Sequence, residues 1–266
     1  MKILITIATS LFIASTVLGQ NDSIRIYSIS PLKIINKITI QSGASYLALK
    51  DQTFSPIVFS GVIPSIRLGF NQNRYNEKLW NTDISLSYGN IDYKNKYFKS
   101  TFIAAQFTFN YLWKIRSFKN SKIFLGGQFK SVLNLLDYDG FNSAGWFTAQ
   151  QLEPILIYTY AISGRQSISG QFSYPIMSLV SRPSYAGIDE FVVVNSDNVP
   201  KILYSRMKLY SLNKLINPNI ELKYSYTLKR SIFSISANYS YLQVNSVRKY
   251  YKNTLGLNLI YQLKIG

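Results

Sequence analysis

The segment NTLGLNLIYQLKI, residues 253–265, alternates apolar and polar side chains over almost its whole length. One series consists of Leu255, Leu257, Leu259, Tyr261, Leu263 and Ile265, and the series between them of Gly256, Asn258, Ile260, Gln262 and Lys264. Successive side chains of a β-strand point to opposite faces of its sheet. The segment therefore predicts a strand with one apolar face and one largely polar face.

The same period of two recurs along most of the chain. The predicted strands are 37–50, 57–71, 80–90, 101–114, 121–136, 149–163, 166–177, 216–229, 231–243 and 253–265. Outside the N-terminal segment no stretch carries a convincing helical pattern. The sequence therefore predicts an all-β protein.

Strands with one apolar face fit two architectures. In a soluble β-sandwich the apolar faces of two sheets meet in a core, whereas in a transmembrane barrel they face lipid. The predicted strands are mostly longer than the roughly 5–6 residues usual in soluble sheets. Their apolar faces end repeatedly in aromatic residues, which are enriched at membrane interfaces; these are Trp80, Tyr88, Tyr111, Trp113, Tyr158, Tyr160, Tyr174 and Tyr241. Both features favour the barrel.

The connections between the predicted strands differ in length on the two sides. On one side they are 72–79, 115–120, 164–165 and 230, and on the other they are 51–56, 91–100, 137–148, 178–215 and 244–252. Outer-membrane barrels have short periplasmic turns and longer external loops. The sequence therefore predicts a transmembrane antiparallel up-and-down β-barrel of about ten strands, within a range of about eight to twelve, with short periplasmic turns and long extracellular loops.

The N-terminal segment MKILITIATSLFIASTVLGQ, residues 1–20, has the layout of a secretory signal peptide. Lys2 precedes an apolar run, and small residues precede a cleavage site before Gln20. We expect a signal peptide over 1–19, an N-terminal periplasmic segment over 20–36 and the barrel over 37–266. No later stretch approaches the ~18–20 uninterrupted apolar residues that a membrane-spanning helix needs.

From signal peptide to final strand, the chain resembles the outer-membrane β-barrel proteins of Gram-negative bacteria. Its richness in Asn, Ile, Lys and Tyr resembles members from the Bacteroidota. The last strand is similar to the insertion signal of such barrels, with Tyr261, Leu263 and Ile265 alternating toward the end, although the chain ends in Gly266 where an aromatic residue is usual. The resemblance implies a place in the bacterial outer membrane, among its lipid and lipopolysaccharide, and points to no functional family.

Composition limits the chemistry of the chain. The 266 residues carry a formal net charge of +17 but include no His and no Cys. This excludes thiolate nucleophiles, Ser-His-Asp triads and His-ligated metal sites. The barrel enzymes that the chain resembles use sites that depend on His. We therefore predict that the protein is not an enzyme and has no cofactor or metal site. Export separates it from cytoplasmic nucleic acid, so no nucleic-acid partner is expected.

If the apolar faces meet lipid, the alternate side chains line the lumen. The charged lumen-lining candidates are Arg67, Lys130, Glu153, Glu221, Lys223 and Lys264. A barrel of about ten strands has a narrow interior that side chains are able to fill. The inward charges then either form a plugging network of hydrogen bonds and salt bridges, or line a narrow cationic path for small anions or polar solutes.

The remaining positive charge is concentrated in the predicted connections. The candidates for contact with lipopolysaccharide phosphates or another surface anion are Lys94, Lys96, Lys99, Arg248, Lys249 and Lys252, and ordinary loop solvation is an equal alternative. Connection 178–215 is too long for a plain loop and carries two apolar runs, which makes it the candidate docking site for a partner protein.

Three functions follow from these features. The first is a non-enzymatic outer-membrane barrel that acts as a binding, accessory or structural component. The second is a narrow anion-preferring pore or small-solute channel. The third, a secreted soluble β-sandwich that binds a ligand, applies only if the apolar faces meet one another instead of lipid.

Overall fold

The structure, a computed structural model, describes residues 34–74, 77–93, 99–138, 143–183, 197–204 and 207–265. The predicted signal peptide and most of the predicted periplasmic segment 20–36 lie outside the described residues, as do Lys94, Lys96 and part of connection 178–215. Strand β1 begins at Ile34 and so takes in the last residues of that predicted segment.

Strands account for almost all of the described chain. They are β1 Ile34–Asp51, β2 Phe59–Arg74, β3 Lys78–Asp92, β4 Lys99–Ser117, β5 Ser121–Tyr138, β6 Ser143–Ala161, β7 Gln166–Ser173, β8 Met177–Ser181, β9 Lys208–Ser211, β10 Leu215–Ile216, β11 Asn219–Thr227, β12 Ser231–Val244 and β13 Tyr250–Ile265. The segment with which the sequence analysis began is the larger part of β13.

The strands form one closed antiparallel ring. The pairing order is β5–β4–β3–β2–β1–β13–β12–β11–β7–β6, and β6 returns to β5. The first and last strands pair from Asn36↔Ile265 to Asp51↔Tyr250. We use the word stave for each segment that crosses the wall of the barrel once, whether it is one strand or several short ones. Strands β7 and β8 together form one irregular stave, and β9 to β11 form another, so the barrel has ten staves. The predicted ten-stranded transmembrane β-barrel is confirmed, and the sandwich alternative is wrong because the chain forms one ring and not two packed sheets.

The irregularity lies between staves seven and eight. Ser173 pairs with Asn219 and Met177 pairs with Ser211, so three residues on one side face seven on the other. Pro175 and Pro218 lie in these two stretches. Because proline has no N–H to donate to a ladder, both positions interrupt regular pairing.

Side chains alternate between the outside and the inside of the barrel as the sequence predicts. In β13 the outward Leu257 is 66% exposed, whereas its inward neighbour Asn258 is 6% exposed. The aromatic residues Tyr88, Trp113 and Tyr158 also face outward and are exposed. An apolar exterior suits contact with lipid.

Six of the nine connections are shorter than the sequence predicts. At one end the structure has 75–77, 118–120, 162–165 and 228–230, and at the other 52–58, 93–98, 139–142, 182–207 and 245–249. Four of the five connections at the second end are longer than any at the first, and 182–207 is by far the longest, so the predicted division into short turns and longer loops is confirmed. The strands run further because their outer ends carry apolar residues on both faces, which hides the alternation that marks a strand in the sequence.

The described part of the long connection 182–207 includes a short helix, α1, over Val199–Tyr204. Asn198 caps it by accepting a hydrogen bond from the backbone N–H of Lys201 at 3.1 Å. The hydroxyl of Thr148 in β6 donates to the carbonyl of Leu203 at 3.1 Å, so the helix is held against the barrel wall.

Within the described residues, no helix has the length and apolar character needed to cross a membrane.

Candidate functional site

The interior of the barrel at the end with the longer connections is apolar. Inward side chains from all round the ring form one buried cluster there: Leu47, Leu49, Phe59, Ile63, Ile91, Phe102, Leu136, Tyr138, Phe147, Ala149, Val180, Leu215, Leu242, Val244 and Tyr250. The rings of Phe147 and Tyr250 stack with centroids 4.7 Å apart. We call this cluster the outer core. The sequence analysis missed it, because it assigned every inward position to a polar lumen.

A buried arginine ties the connections over the outer core. Arg182, directly after β8, donates from Nη2 to Asp51 Oδ1 and Thr53 Oγ1, and from Nη1 to the carbonyl of Arg248 at 2.7 Å. The side chains of Arg182 and Asp51 are 9% and 1% exposed. One side chain thus links connections 52–58 and 245–249 to the end of β8. This contact joins residues far apart in sequence, and no local pattern marks it.

Below the outer core the interior is polar. A cavity of about 280 Å³ lies there, and Arg67, Lys130, Glu221 and Lys223 are among the residues that line it. The predicted candidates of the central lumen are therefore brought together around one space. Arg67 pairs with Asp83 at 3.5 Å.

Glu153 forms the most buried charged contact of the interior. It accepts hydrogen bonds from Gln128 Nε2 at 2.9 Å, Lys130 Nζ at 3.2 Å and Ser173 Oγ at 2.6 Å. Three donors satisfy the carboxylate, which is the condition for keeping a charge in a low-dielectric interior. Lys130 and Glu153 face each other because β5 and β6 pair Lys130 with Gln151 and Gln128 with Glu153.

Glycines make room for a polar network where the first and last strands join. Asn258 Nδ2 donates to Asn238 Oδ1 at 2.9 Å and to Ser236 Oγ at 3.3 Å. A Cβ added to Gly43 would come within 2.2 Å of Asn258 Oδ1, and one added to Gly256 within 2.5 Å of Asn238 Oδ1.

Lys252 lies elsewhere than expected, whereas Lys264 faces inward as the sequence predicts. Lys252 is not in a surface loop, because β13 begins at Tyr250; it points inward, lines the cavity and donates to Asn134 Oδ1 at 3.1 Å. Lys264 faces inward at the opposite end, where its Nζ donates to the carbonyls of Leu228 and Lys229 at 3.1 and 3.5 Å. It therefore supports the turn 228–230.

The remaining surface candidates lie at the end of the barrel with the longer connections. Lys99 begins β4 and is exposed, and Arg248 and Lys249 are exposed in connection 245–249.

A second cavity, of about 320 Å³, lies in the interior near the short turns. Its lining includes Lys37, Lys122 and Lys223, and it shares Asn71, Asn81, Lys223 and Gln262 with the lining of the first cavity. Lys37 lies within the predicted strand 37–50, but the sequence analysis did not name it as a lumen-lining candidate.

Among the residues that the structure describes, no three His, Cys, Asp or Glu side chains lie close enough together to hold a metal ion.

Comparison with known proteins identifies the fold. No family model matches the chain, and no curated protein matches it. Among solved structures, the outer-membrane protease OmpT from Escherichia coli is similar with a TM-score of 0.55 and 9% identity, over 91% of this chain and 100% of OmpT.

Two other barrels are similar at lower scores. The translocator domain of the autotransporter NalP from Neisseria meningitidis has a TM-score of 0.42 and 4% identity, over 98% of this chain and 95% of that domain. Neisserial surface protein A has a TM-score of 0.31 and 11% identity, over 86% of this chain and 97% of that protein. At 9% identity the likeness to OmpT shows the fold alone. The chain has the fold of the outer-membrane β-barrel proteins of Gram-negative bacteria.

Proposed function

We propose that the protein is a non-enzymatic component of the bacterial outer membrane, a closed barrel that binds or supports other molecules and does not conduct solutes. The single observation that carries this proposal is the outer core. Fifteen buried side chains, contributed by all ten staves, meet inside the barrel at the end with the longer connections. An interior packed with apolar side chains excludes water and therefore excludes hydrated ions.

The arginine contact supports the same function. Arg182 bonds to Asp51, Thr53 and the carbonyl of Arg248, so the connections above the outer core are held in place by hydrogen bonds to a buried charge. Breaking one partner of a buried pair is costly, which favours a permanently closed end over a gate. The absence of His and Cys from the sequence supports a role without hydrolytic chemistry.

Membrane components are the partners that the exterior fits. The outward side chains of the strands are apolar and suit lipid. At the outer end Lys99, Arg248 and Lys249 are exposed and suit lipopolysaccharide phosphates. Connection 182–207, with α1 against β6, offers the site for a protein partner.

A narrow anion-preferring channel is the second candidate function. The observation that favours it is the continuity of the polar interior, because the two cavities share four lining residues. A channel would require the outer core to open.

Planar-bilayer recording of the purified full-length protein separates the two functions. We expect no steady current from the wild type. The double variant Phe147→Ala, Tyr250→Ala removes the aromatic stack from the outer core and should conduct, provided that its heat-modifiable gel mobility shows a folded barrel. The matched control Phe172→Ala, Tyr224→Ala changes two outward rings and should stay silent. A stable anion-selective current from the wild type would contradict the closed barrel and favour the channel.

A further inference from the structure

The cavity of about 320 Å³ lies at the end of the barrel that carries the short turns. Several lining residues directly follow or precede those turns: Lys122 comes shortly after 118–120, Ser167 after 162–165, and Thr227 immediately before 228–230. Short turns are on the periplasmic side of outer-membrane barrels. We call this cavity the periplasmic basin.

Three lysines surround the periplasmic basin from different directions. Lys37 is in β1, Lys122 in β5 and Lys223 in β11. In the order of the ring, two or three staves separate each of these strands from the next. The three lysines therefore line the same space from three well-separated parts of the wall.

The positive charge of the periplasmic basin has no counter-charge within its lining. The described residues that line the basin include no Asp or Glu. The ion pairs of the described chain join Arg67 to Asp83, Lys130 to Glu153 and Arg182 to Asp51, and none includes these three lysines. Like charges that share a partly buried space repel one another, so a bound anion would be favourable there.

Most of the other lining residues supply neutral hydrogen-bond donors, and four are apolar: Leu79, Phe124, Ile157 and Ile232. The hydroxyl groups of Thr159, Ser167, Ser169, Ser225 and Thr227 line the periplasmic basin, together with side-chain amides such as Asn71 and Gln262. Hydroxyl and amide groups donate to anionic oxygens, and charge-assisted bonds of this kind are the strong ones. The polar part of this lining, which consists of ammonium, hydroxyl and amide groups without carboxylates, has the composition of an oxyanion site.

We propose that the periplasmic basin binds a phosphate-class anion, either inorganic phosphate or the phosphoryl group of a small ester. A phosphoryl group presents three terminal oxygens in different directions, which suits a space that lysines line from three sides. A planar carboxylate presents only two. The volume falls in the lower range for small-molecule sites and leaves space for an organic group beside the phosphate. The site requires no passage through the barrel, so it stands whether or not the barrel conducts.

Isothermal titration calorimetry on the full-length protein in an uncharged detergent at low salt tests this proposal. The probes are inorganic phosphate, glycerol phosphate, acetate and glycerol. We expect both phosphates to bind, acetate to bind at least about tenfold more weakly, and glycerol not to bind. Each of Lys37→Gln, Lys122→Gln and Lys223→Gln should weaken phosphate binding by about tenfold, the effect of losing one charge-assisted hydrogen bond. The controls Lys119→Gln and Lys229→Gln remove exposed turn lysines at the same end and should bind as the wild type does.

Each other result overturns the proposal. If the three basin variants bind phosphate as tightly as the wild type, the site is not the basin. If Lys119→Gln and Lys229→Gln weaken phosphate binding as much as the basin variants do, the anion is bound by the exposed turns at this end and not by the basin. If bilayers containing phosphatidylglycerol bind but soluble glycerol phosphate does not, the ligand is a lipid headgroup.

Thiol labelling supplies a readout that leaves the lysines intact. Ser169→Cys places a thiol in the lining of the basin. We expect glycerol phosphate, but not glycerol, to slow its reaction with an aqueous maleimide. Equal rates with and without glycerol phosphate would count against binding in the basin.

Discussion

Glu153 shows how a single carboxylate organises the polar interior. It is the acceptor for Gln128, Lys130 and Ser173, which come from β5 and from the end of β7. Its own strand, β6, lies between those two strands in the ring. One side chain thus joins three neighbouring staves from the inside, in addition to the backbone ladder.

Glu153→Ala should lower barrel stability by about 3–5 kcal/mol, because it leaves the Lys130 charge buried without a partner. Asp83→Asn is the matched comparison: the Arg67–Asp83 pair is longer, at 3.5 Å, with side chains 32% and 16% exposed. It should cost no more than about 1 kcal/mol. Urea unfolding of the purified proteins in detergent measures both values. Equal losses of unfolding free energy in the two variants would mean that burial does not determine the strength of these ion pairs.

At the residue scale, sequence reasoning located the lumen charges that lie in the middle of strands. Arg67, Lys130, Glu221 and Lys223 face the interior because a period of two assigns each residue to a face once the strand is known. Lys252 was assigned to a loop because the inward positions near it carry apolar side chains, Val244 and Tyr250, instead of polar ones. The alternation of apolar and polar residues that marks a strand is therefore lost there. Arg182 left no signal, since its partners are contributed by distant connections.

At the scale of the strands, the contact between β4 and β5 depends on a glycine. A Cβ added to Gly126 would lie 1.9 Å from the backbone oxygen of Tyr111 and 2.7 Å from the Cα of Leu112. Those atoms belong to the neighbouring strand, so the strain is not relieved by a side-chain rotation. The adjacent Gly127 has open space around the same position.

Gly126→Ala should therefore destabilise the barrel by about 1–3 kcal/mol, because β4 and β5 must move apart. Gly127→Ala should be neutral or slightly stabilising, because it only restricts the unfolded chain. The measurement is the midpoint of urea unfolding of each variant. Unchanged heat-modifiable gel mobility shows that each variant is folded. A Gly126→Ala midpoint at or above that of the wild type would show that the two strands do not pack as closely as described.

The number and order of the strands were predictable, whereas their ends were not. Lipid outside and polar groups inside impose a strict alternation in the middle of each strand, and this pattern is local to the sequence. Near the outer core both faces are apolar, as at Trp146 and Phe147 of β6, which lie in the predicted connection 137–148. There the alternation disappears, and the sequence predicted loops where strands continue. The outer core itself is a set of long-range contacts, which no local period reveals.

At the scale of the whole molecule, the two ends of the interior differ in access. We expect Lys223→Cys, in the lining of both cavities, to react with a membrane-impermeant maleimide only after the outer membrane of intact cells is permeabilised. Leu222→Cys, its outward neighbour, should react only with a lipid-soluble reagent. The chain contains no native Cys that would interfere. Labelling of Lys223→Cys in intact cells would contradict either the closed outer end or the orientation.

The outer core also determines which parts of the molecule are accessible to agents outside the cell and therefore under selection by them. Phages, antibodies and toxins approach from outside the cell, and a packed apolar layer separates them from the polar interior. They reach the connections at the outer end, chiefly 182–207, and the exposed rim residues. Under selection by these agents, the amino-acid sequence of those connections should vary. The lysines of the periplasmic basin, in contrast, should be under selection only by molecules of the periplasm.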